Sequence, residues 1–239
     1  MAVLEGRGIS KHFGGVKALT GVDFSVEEGS IVGLIGPNGA GKTTLFNIVA
    51  GAIAPSAGRI TFQGRAITGL NAIQVCRQGI ARTFQVTRPF GGMTCLENVA
   101  VGIINRHPGC PRHRWQAGAL TLLEAVGLKA LALTEARLLN VVQKKRLEIA
   151  RALATEPRLL MLDEVLGGLN TQEIQEAIGF IRRLRDERGL TIFWIEHVMG
   201  AIMQATEKVI VLDQGRVLME GPPHDVVADR RVILAYLGD

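Results

Sequence analysis

The chain has 239 residues and a mass of 25.7 kDa, with 47% hydrophobic and 21% charged residues and a formal charge of +5. So much apolar content and so little net charge exclude a wholly disordered chain, and no collagen-like or low-complexity bias appears. The length suits one α/β unit with a sub-domain inserted.

The N-terminus, Met1 to Arg7, lacks a basic start followed by an apolar run, so it is not expected to act as a secretory signal. Val3–Phe13 and Val16–Val26 are β-like, separated by a Gly turn. Ile31–Ile35 is short, apolar and β-branched, the pattern of a buried strand. It runs into a Gly-rich loop and then a helix from Lys42 to about Ala50, stopped by Gly51 and Pro55. Gly58–Ile67 reads as a further strand or hairpin piece.

From about residue 71 to 150 the pattern is mainly helical: Asn71–Gln78, Leu96–Ile104, Trp115–Val126 and Asn140–Thr155, with an irregular stretch over Asn105–Arg114. The alternating His107, Cys110 and His113 in that stretch supply only three metal ligands beside two prolines, so an exposed loop is the expectation. Leu159–Leu162 is a second buried strand, Thr171–Arg188 an amphipathic helix, and Thr191–Ile195 a third buried strand. Lys208–Asp213 and Arg216–Glu220 flank Gln214-Gly215 as a hairpin, and a short helix closes the chain. Buried strands alternating with helices predict a parallel sheet.

Three further features bear on compartment and partners. Cys76, Cys95 and Cys110 make an odd count without a CxxC pair, which predicts a reducing compartment. No uncharged apolar stretch reaches about 18 residues, so no membrane span is expected. The pI of about 9.4 suits nucleic acid, an anionic membrane or phosphate ligands. The basic groups at 106–114, 144–146 and 182–188 read as solvated faces and helix ends. A mean hydropathy of +0.24 predicts either a buried parallel sheet or a surface that a partner covers.

The strongest chemical signal is Gly36-Pro37-Asn38-Gly39-Ala40-Gly41-Lys42-Thr43, which fits GxxxxGK[ST] between a predicted strand and a predicted helix. The glycines let backbone N–H groups wrap around phosphate, and the helix adds its N-terminal partial charge. Lys42 is expected on the β- and γ-phosphates, and Thr43 on Mg²⁺. Thr44, in the first helical turn, is a further phosphate donor. Leu159-Leu160-Met161-Leu162-Asp163-Glu164 delivers two carboxylates to the C-terminal end of a strand, where ligands sit in open α/β sheets. Asp163 is expected to hold Mg²⁺ and Glu164 to deprotonate the attacking water. His197 follows the next strand and is expected to face the γ-phosphate and the water.

This order of motifs resembles the ATP-binding subunit of an ABC transporter over essentially the whole chain, and most of all the branched-chain amino acid uptake group. Phe13–Leu19, Arg82-Thr83-Phe84-Gln85, Met93–Val99, Arg146–Leu153, Gly168-Leu169-Asn170 and Ala235-Tyr236-Leu237-Gly238 carry the likeness. It implies ATP and Mg²⁺ as cofactors and a P-loop NTPase α/β core with an N-terminal antiparallel β portion. The core would occupy 1–85 and 156–239, with an inserted α-helical sub-domain at about 86–155. It implies that Phe13 stacks on adenine, that Gln85 senses Mg²⁺ and the γ-phosphate, and that Gly167–Asn170 meets a second subunit. His197 matches the family's switch histidine.

The resemblance also implies partners: permease subunits docking near Gln85, a second ATPase subunit (a copy or a paralogue), and indirectly a substrate-binding protein, with no nucleic acid. The chain would lie in the cytoplasm against the inner face of the membrane.

One motif departs from the family. Where the family carries a Leu-Ser-Gly-Gly-Gln-like signature, this chain has Leu139-Asn140-Val141-Val142-Gln143. Asn140 and Gln143 still offer amides to nucleotide on the other subunit, but two valines replace flexible backbone. A second, milder departure is Val165, where the family usually has proline. Two other readings stay open: a nucleotide-binding subunit that hydrolyses weakly or only regulates, and a soluble ABC ATPase outside transport.

Overall fold

The computed structural model describes residues 1–237. The chain opens with two long strands, β1 (Ala2–Phe13) and β2 (Val16–Glu27), paired antiparallel. The predicted hairpin piece is β4 (Ala57–Phe62) and β5 (Arg65–Ala66); with the first two it completes a four-stranded antiparallel sheet ordered β2-β1-β4-β5.

A second sheet has six strands, ordered β10-β9-β3-β8-β7-β6. Its members are β3 (Ile31–Ile35), β6 (Ile80–Arg82), β7 (Leu159–Asp163), β8 (Thr191–Ile195), β9 (Lys208–Asp213) and β10 (Arg216–Gly221). From β9 through β6 every pairing is parallel; only β10 runs antiparallel, in the predicted hairpin. β3, β7 and β8 are buried at every position, as continuous apolar runs require when both faces of a parallel sheet are covered. β8 shows this residue by residue. Phe193 packs on one face against Phe24 and Phe46, with ring centroids 5.9 and 4.9 Å apart. Ile192 and Trp194 belong to the apolar core on the other face. The first face packs on helix α1 (Lys42–Val49) and the antiparallel sheet. The second packs against α6 (Thr171–Arg188) and joins the core of α3 (Cys95–Arg106), α4 (Arg112–Ala125) and α5 (Val141–Leu153).

The structure adds one element and corrects two expectations. The segment from 71 onward is mainly helical, and after α2 (Ala72–Gln78) it also holds β6, which adds an edge strand to the parallel sheet. Three residues are too few to show a period, so Ile80 and Ala81 are hidden in the pattern. The irregular stretch is shorter than 105–114, because α3 runs to Arg106 and α4 starts at Arg112, with Pro111 at its N-cap. The C-terminus holds two helices, α8 (Pro223–Ala228) and α9 (Arg230–Leu237), not one. Among the described residues no helix is long and apolar enough to cross a membrane. A further short helix, α7 (Met199–Ala205), follows β8.

Candidate functional site

Sheet order builds the site. In the sheet β8 lies between β3 and β7, so the loops leaving the C-terminal ends of these three strands are neighbours. Those loops carry the Gly-rich segment, Asp163-Glu164 and Glu196-His197.

The Gly-rich loop is tightly held. Gly36 has φ +149°, and a Cβ there would stand 2.0 Å from the Leu212 carbonyl oxygen. Its N–H donates to the Tyr236 hydroxyl at 2.6 Å, tying α9 to the loop. Gly238, the last residue of the likeness at 235–238, lies outside the described residues. α1 has Gly41 at its N-cap and no side-chain cap. Among the described residues, the N–H groups of Gly39, Gly41, Lys42, Thr43 and Thr44 find no acceptor. Several orphan donors at one helix start form a cradle for an anion, and this matches the geometry a polyphosphate needs. Lys42 is buried, and its Nζ donates to the carbonyls of Gly36 at 2.7 Å and Pro37 at 3.0 Å. Burial lowers its pKa, against the pull of Glu164 and Asp163. Phe13 is half exposed, with the Lys11 ammonium 5.1 Å from its ring centroid. Pro37, Asn38 and Ala40 complete the loop, and the Ala40 N–H closes a turn onto the Pro37 carbonyl.

Glu164 sits at φ +50°, a left-handed backbone that a non-glycine residue rarely adopts. Such local strain persists where surrounding contacts impose it, as they do at functional sites. Here the Glu164 N–H bonds the Ile195 carbonyl at 2.9 Å, while its carboxylate meets two other residues expected in the site. Gln85 Nε2 donates to Oε2 at 2.5 Å, and His197 Nε2 contacts Oε1. The structure therefore brings Gln85, Glu164 and His197 into one hydrogen-bonded group. Asp163 Oδ2 instead accepts from Arg82 at 2.6 Å, and both side chains are buried.

The set of Thr43 hydroxyl, Asp163 carboxylate and Gln85 amide oxygen is the hard-oxygen chemistry that Mg²⁺ takes, so the residues fit that ion. Asp163 Oδ1 accepts no hydrogen bond among the described residues and is free for such a role.

Asn140 and Gln143 lie at the start of α5, where they form a capping box. The Gln143 N–H donates to Asn140 Oδ1 at 2.8 Å, and the Asn140 N–H to Gln143 Oε1 at 3.0 Å. Each amide oxygen thus accepts from the other residue's backbone N–H, and Val141 projects 59% exposed beside them.

Glu196 and Lys145 are among the site residues that no sequence motif marks. Glu196 is buried; its Oε1 accepts from the Leu166 N–H at 2.7 Å and its Oε2 from the His197 N–H at 3.2 Å. It fastens the loop after Glu164 to His197. Lys145, on α5, donates to the Gly167 carbonyl and so ties the α5 start to the same loop. An acid next to a predicted active-site His was the one available signal for Glu196.

Beside Gln85, a groove between β6 and α5 is lined by Cys76, Phe84, Arg88, Glu148 and Arg151. Burial pushes the Glu148 carboxyl up to about 7, although the Phe84 N–H and Arg151 favour its charged form. Between pH 4.5 and 7 the folded chain keeps a proton here that the unfolded chain has lost. Stability therefore falls as pH rises through that window. Glu148→Gln stays neutral, so its stability relative to the parent should rise by about 3 kcal/mol from pH 4.5 to 8. Urea unfolding at both pH values reads this; a pH-independent difference contradicts it.

Comparison with known proteins agrees with this geometry. The ABC transporter family profile matches residues 19–167, and a profile described as branched-chain amino acid ATP-binding cassette transporter matches residues 216–239. The chain is similar to the high-affinity branched-chain amino acid transport ATP-binding protein BraF of Pseudomonas aeruginosa. That match is 40% identical and covers 99% of this chain and 98% of that one. It is 38% identical to LivG of Escherichia coli, a protein described in the same words, over 99% and 98% of the two chains. Among solved structures, the ADP conformation of MJ1267, an ATP-binding cassette of an ABC transporter, superposes with a TM-score of 0.90. It is 31% identical, with both chains fully covered.

Proposed function

The chain belongs to the ABC transporter family, as one of its ATP-hydrolysing subunits, and from that premise we propose that it powers uptake of branched-chain or related amino acids. The convergence of Lys42, Glu164 and His197 on three neighbouring parallel strands carries this reading.

In it, the orphan N–H groups at the start of α1 and the Lys42 ammonium hold the β- and γ-phosphates, and Phe13 stacks on the adenine. Thr43, Asp163 and Gln85 would hold Mg²⁺, which would supply charge neutralisation to the phosphates when bound. Glu164 takes the proton of the attacking water. Gln85 and His197 hold the Glu164 carboxylate from both sides, so its aim does not depend on side-chain freedom.

The partners follow from the same premise. Two such subunits pair head to tail, each nucleotide lying between one chain's Gly-rich loop and the other's α5 start. Residues of about 86–155 form the helical sub-domain. Permease subunits dock near Gln85 and that sub-domain, and a substrate-binding protein acts through them. The chain then rests on the cytoplasmic face of the membrane and does its work on partners. A second reading, an ATP-binding subunit that hydrolyses weakly, is favoured by the exposed Val141 at the α5 start.

Replacing Lys42 by Ala tests the nucleotide site. The lost charge-assisted contacts, each worth about 1.5–3 kcal/mol, should weaken ATP binding by at least tenfold in a titration with Mg²⁺ present. Binding within about twofold of the parent, a difference under roughly 0.5 kcal/mol, overturns the assignment.

A further inference from the structure

Arg82 stands at a junction that neither motif explains. Its Nη2 donates to Asp163 Oδ2 at 2.6 Å, and its Nη1 donates to Asn47 Oδ1 at 2.6 Å. Asn47 lies four residues after Thr43 on α1, so the two share one face of that helix. The guanidinium carbon lies 5.7 Å from the Phe46 ring centroid and 5.5 Å from that of Phe84. Phe84 immediately precedes Gln85. Arg82 Nε is buried and has no hydrogen-bond partner. One rigid, planar side chain therefore connects the carboxylate at the end of β7, the helix that carries Thr43, and the segment that carries Gln85.

We propose that Arg82 is a positioning residue for Mg²⁺: it sets the separation between Thr43 and Asp163 and leaves only the Oδ1 face of Asp163 for the ion. The proposal rests on the reading above that Asp163 serves Mg²⁺. The guanidinium suits the task because its fork makes two directed bonds at once. A lysine keeps the charge but, as a point charge on a flexible stem, does not reproduce the fork. Two effects oppose each other when Arg82 is removed. Charge alone predicts tighter Mg²⁺ binding, since a cation beside the carboxylate is gone. Lost positioning predicts weaker binding, and outer-shell partners of metal ligands are typically worth about 10- to 100-fold in metal affinity. The positioning effect dominates here because the ion pair is buried and Asn47 locks its geometry from the other side.

The experiment follows binding of a fluorescent ATP analogue to the full chain, first in excess chelator and then across a Mg²⁺ titration. The variants are Arg82→Met, Arg82→Lys, Asn47→Ala and, as a control, Asp163→Asn. Arg82→Lys should bind the analogue in chelator within about twofold of the parent, yet need about tenfold more Mg²⁺ for half of the Mg²⁺-dependent change. Arg82→Met should move in the same direction, and Asn47→Ala less far. Should Arg82→Met fail to fold, Arg82→Lys and Asn47→Ala decide the matter, with thermal melts checking that they are folded. An unchanged or lower midpoint in the Arg82 variants, with a raised one in Asp163→Asn, overturns the role of Arg82 alone. An unchanged midpoint in Asp163→Asn overturns the assignment of Asp163 to Mg²⁺, and this inference with it.

Discussion

Replacing Glu164 by Gln is expected to slow ATP hydrolysis by about two orders of magnitude or more while leaving ATP binding intact. The amide keeps the shape of the side chain and still hydrogen-bonds, so it orients water, but it does not accept the proton. The environment of Glu164 sharpens the expectation. Its backbone is held left-handed at φ +50°, and Gln85 and His197 each occupy one carboxylate oxygen. No other carboxylate shares that arrangement among the described residues: Asp163 faces Arg82, and Glu196 is closed off by the Leu166 and His197 N–H groups. The same variant should hold ATP long enough to reveal pairing. The parent chain is expected to be mainly monomeric without nucleotide, and ATP should drive association of the Glu164→Gln chain by mass action. Single-turnover hydrolysis and sedimentation read the two effects. A variant that hydrolyses ATP at the parent rate removes Glu164 as the base and leaves His197 as the next candidate. A stable dimer without nucleotide contradicts the pairing scheme.

The second large effect is expected at the α5 start. Restoring a family-like signature with Asn140→Ser, Val141→Gly and Val142→Gly together should raise the ATPase rate of the purified chain by tenfold or more. In the paired arrangement, N–H groups at this helix start must approach the γ-phosphate held by the other subunit. The Val141 and Val142 N–H groups find no acceptor among the described residues, so the donors exist. Their access to the phosphate is expected to fail. Val141 projects into solvent at the tip, and the Asn140 and Gln143 amides are engaged with each other's backbone. Each charge-assisted bond lost in the closed state is worth roughly 1.5–3 kcal/mol. One or two of them therefore cost between about tenfold and roughly ten-thousandfold in rate. The Gly-rich loop, Asp163, Glu164 and His197 are untouched, so the parent chain should bind ATP well and hydrolyse it slowly as a pair of identical copies. A paralogue with an intact signature would rescue only the site built on this chain's Gly-rich loop. Equal rates before and after restoration mean that the valines are accommodated and the steric argument is wrong.

What the sequence made legible follows from how local each feature is. The Gly-rich loop could be read because strand, loop and helix are contiguous over 31–49, and each has its own pattern. The acidic pair after β7 could be read because four apolar residues announce a buried strand and its end. β6 could not be read, since three residues carry no period and only pairing with β7 makes them a strand. The resemblance implies separate roles for Gln85 and His197 toward Mg²⁺, the γ-phosphate and the water, but not their hydrogen bonds to Glu164, and the left-handed backbone of Glu164 has no sequence marker. Arg82 was invisible as a site residue because its partners lie 35 and 81 residues away. The same holds for Tyr236, whose hydroxyl meets Gly36 across 200 residues. Long-range polar contacts of this kind are set by sheet order, which single-chain periodicity does not report.

Transport itself tests whether ATP hydrolysis on this chain drives amino-acid uptake. Initial rates of high-affinity radiolabelled leucine uptake are compared in source cells carrying the parent chain, Lys42→Ala or Glu164→Gln at equal protein levels. Both variants are expected to abolish this uptake component, Lys42→Ala by losing ATP and Glu164→Gln by holding it unhydrolysed. Uptake at the parent rate in either variant contradicts that role of the chain.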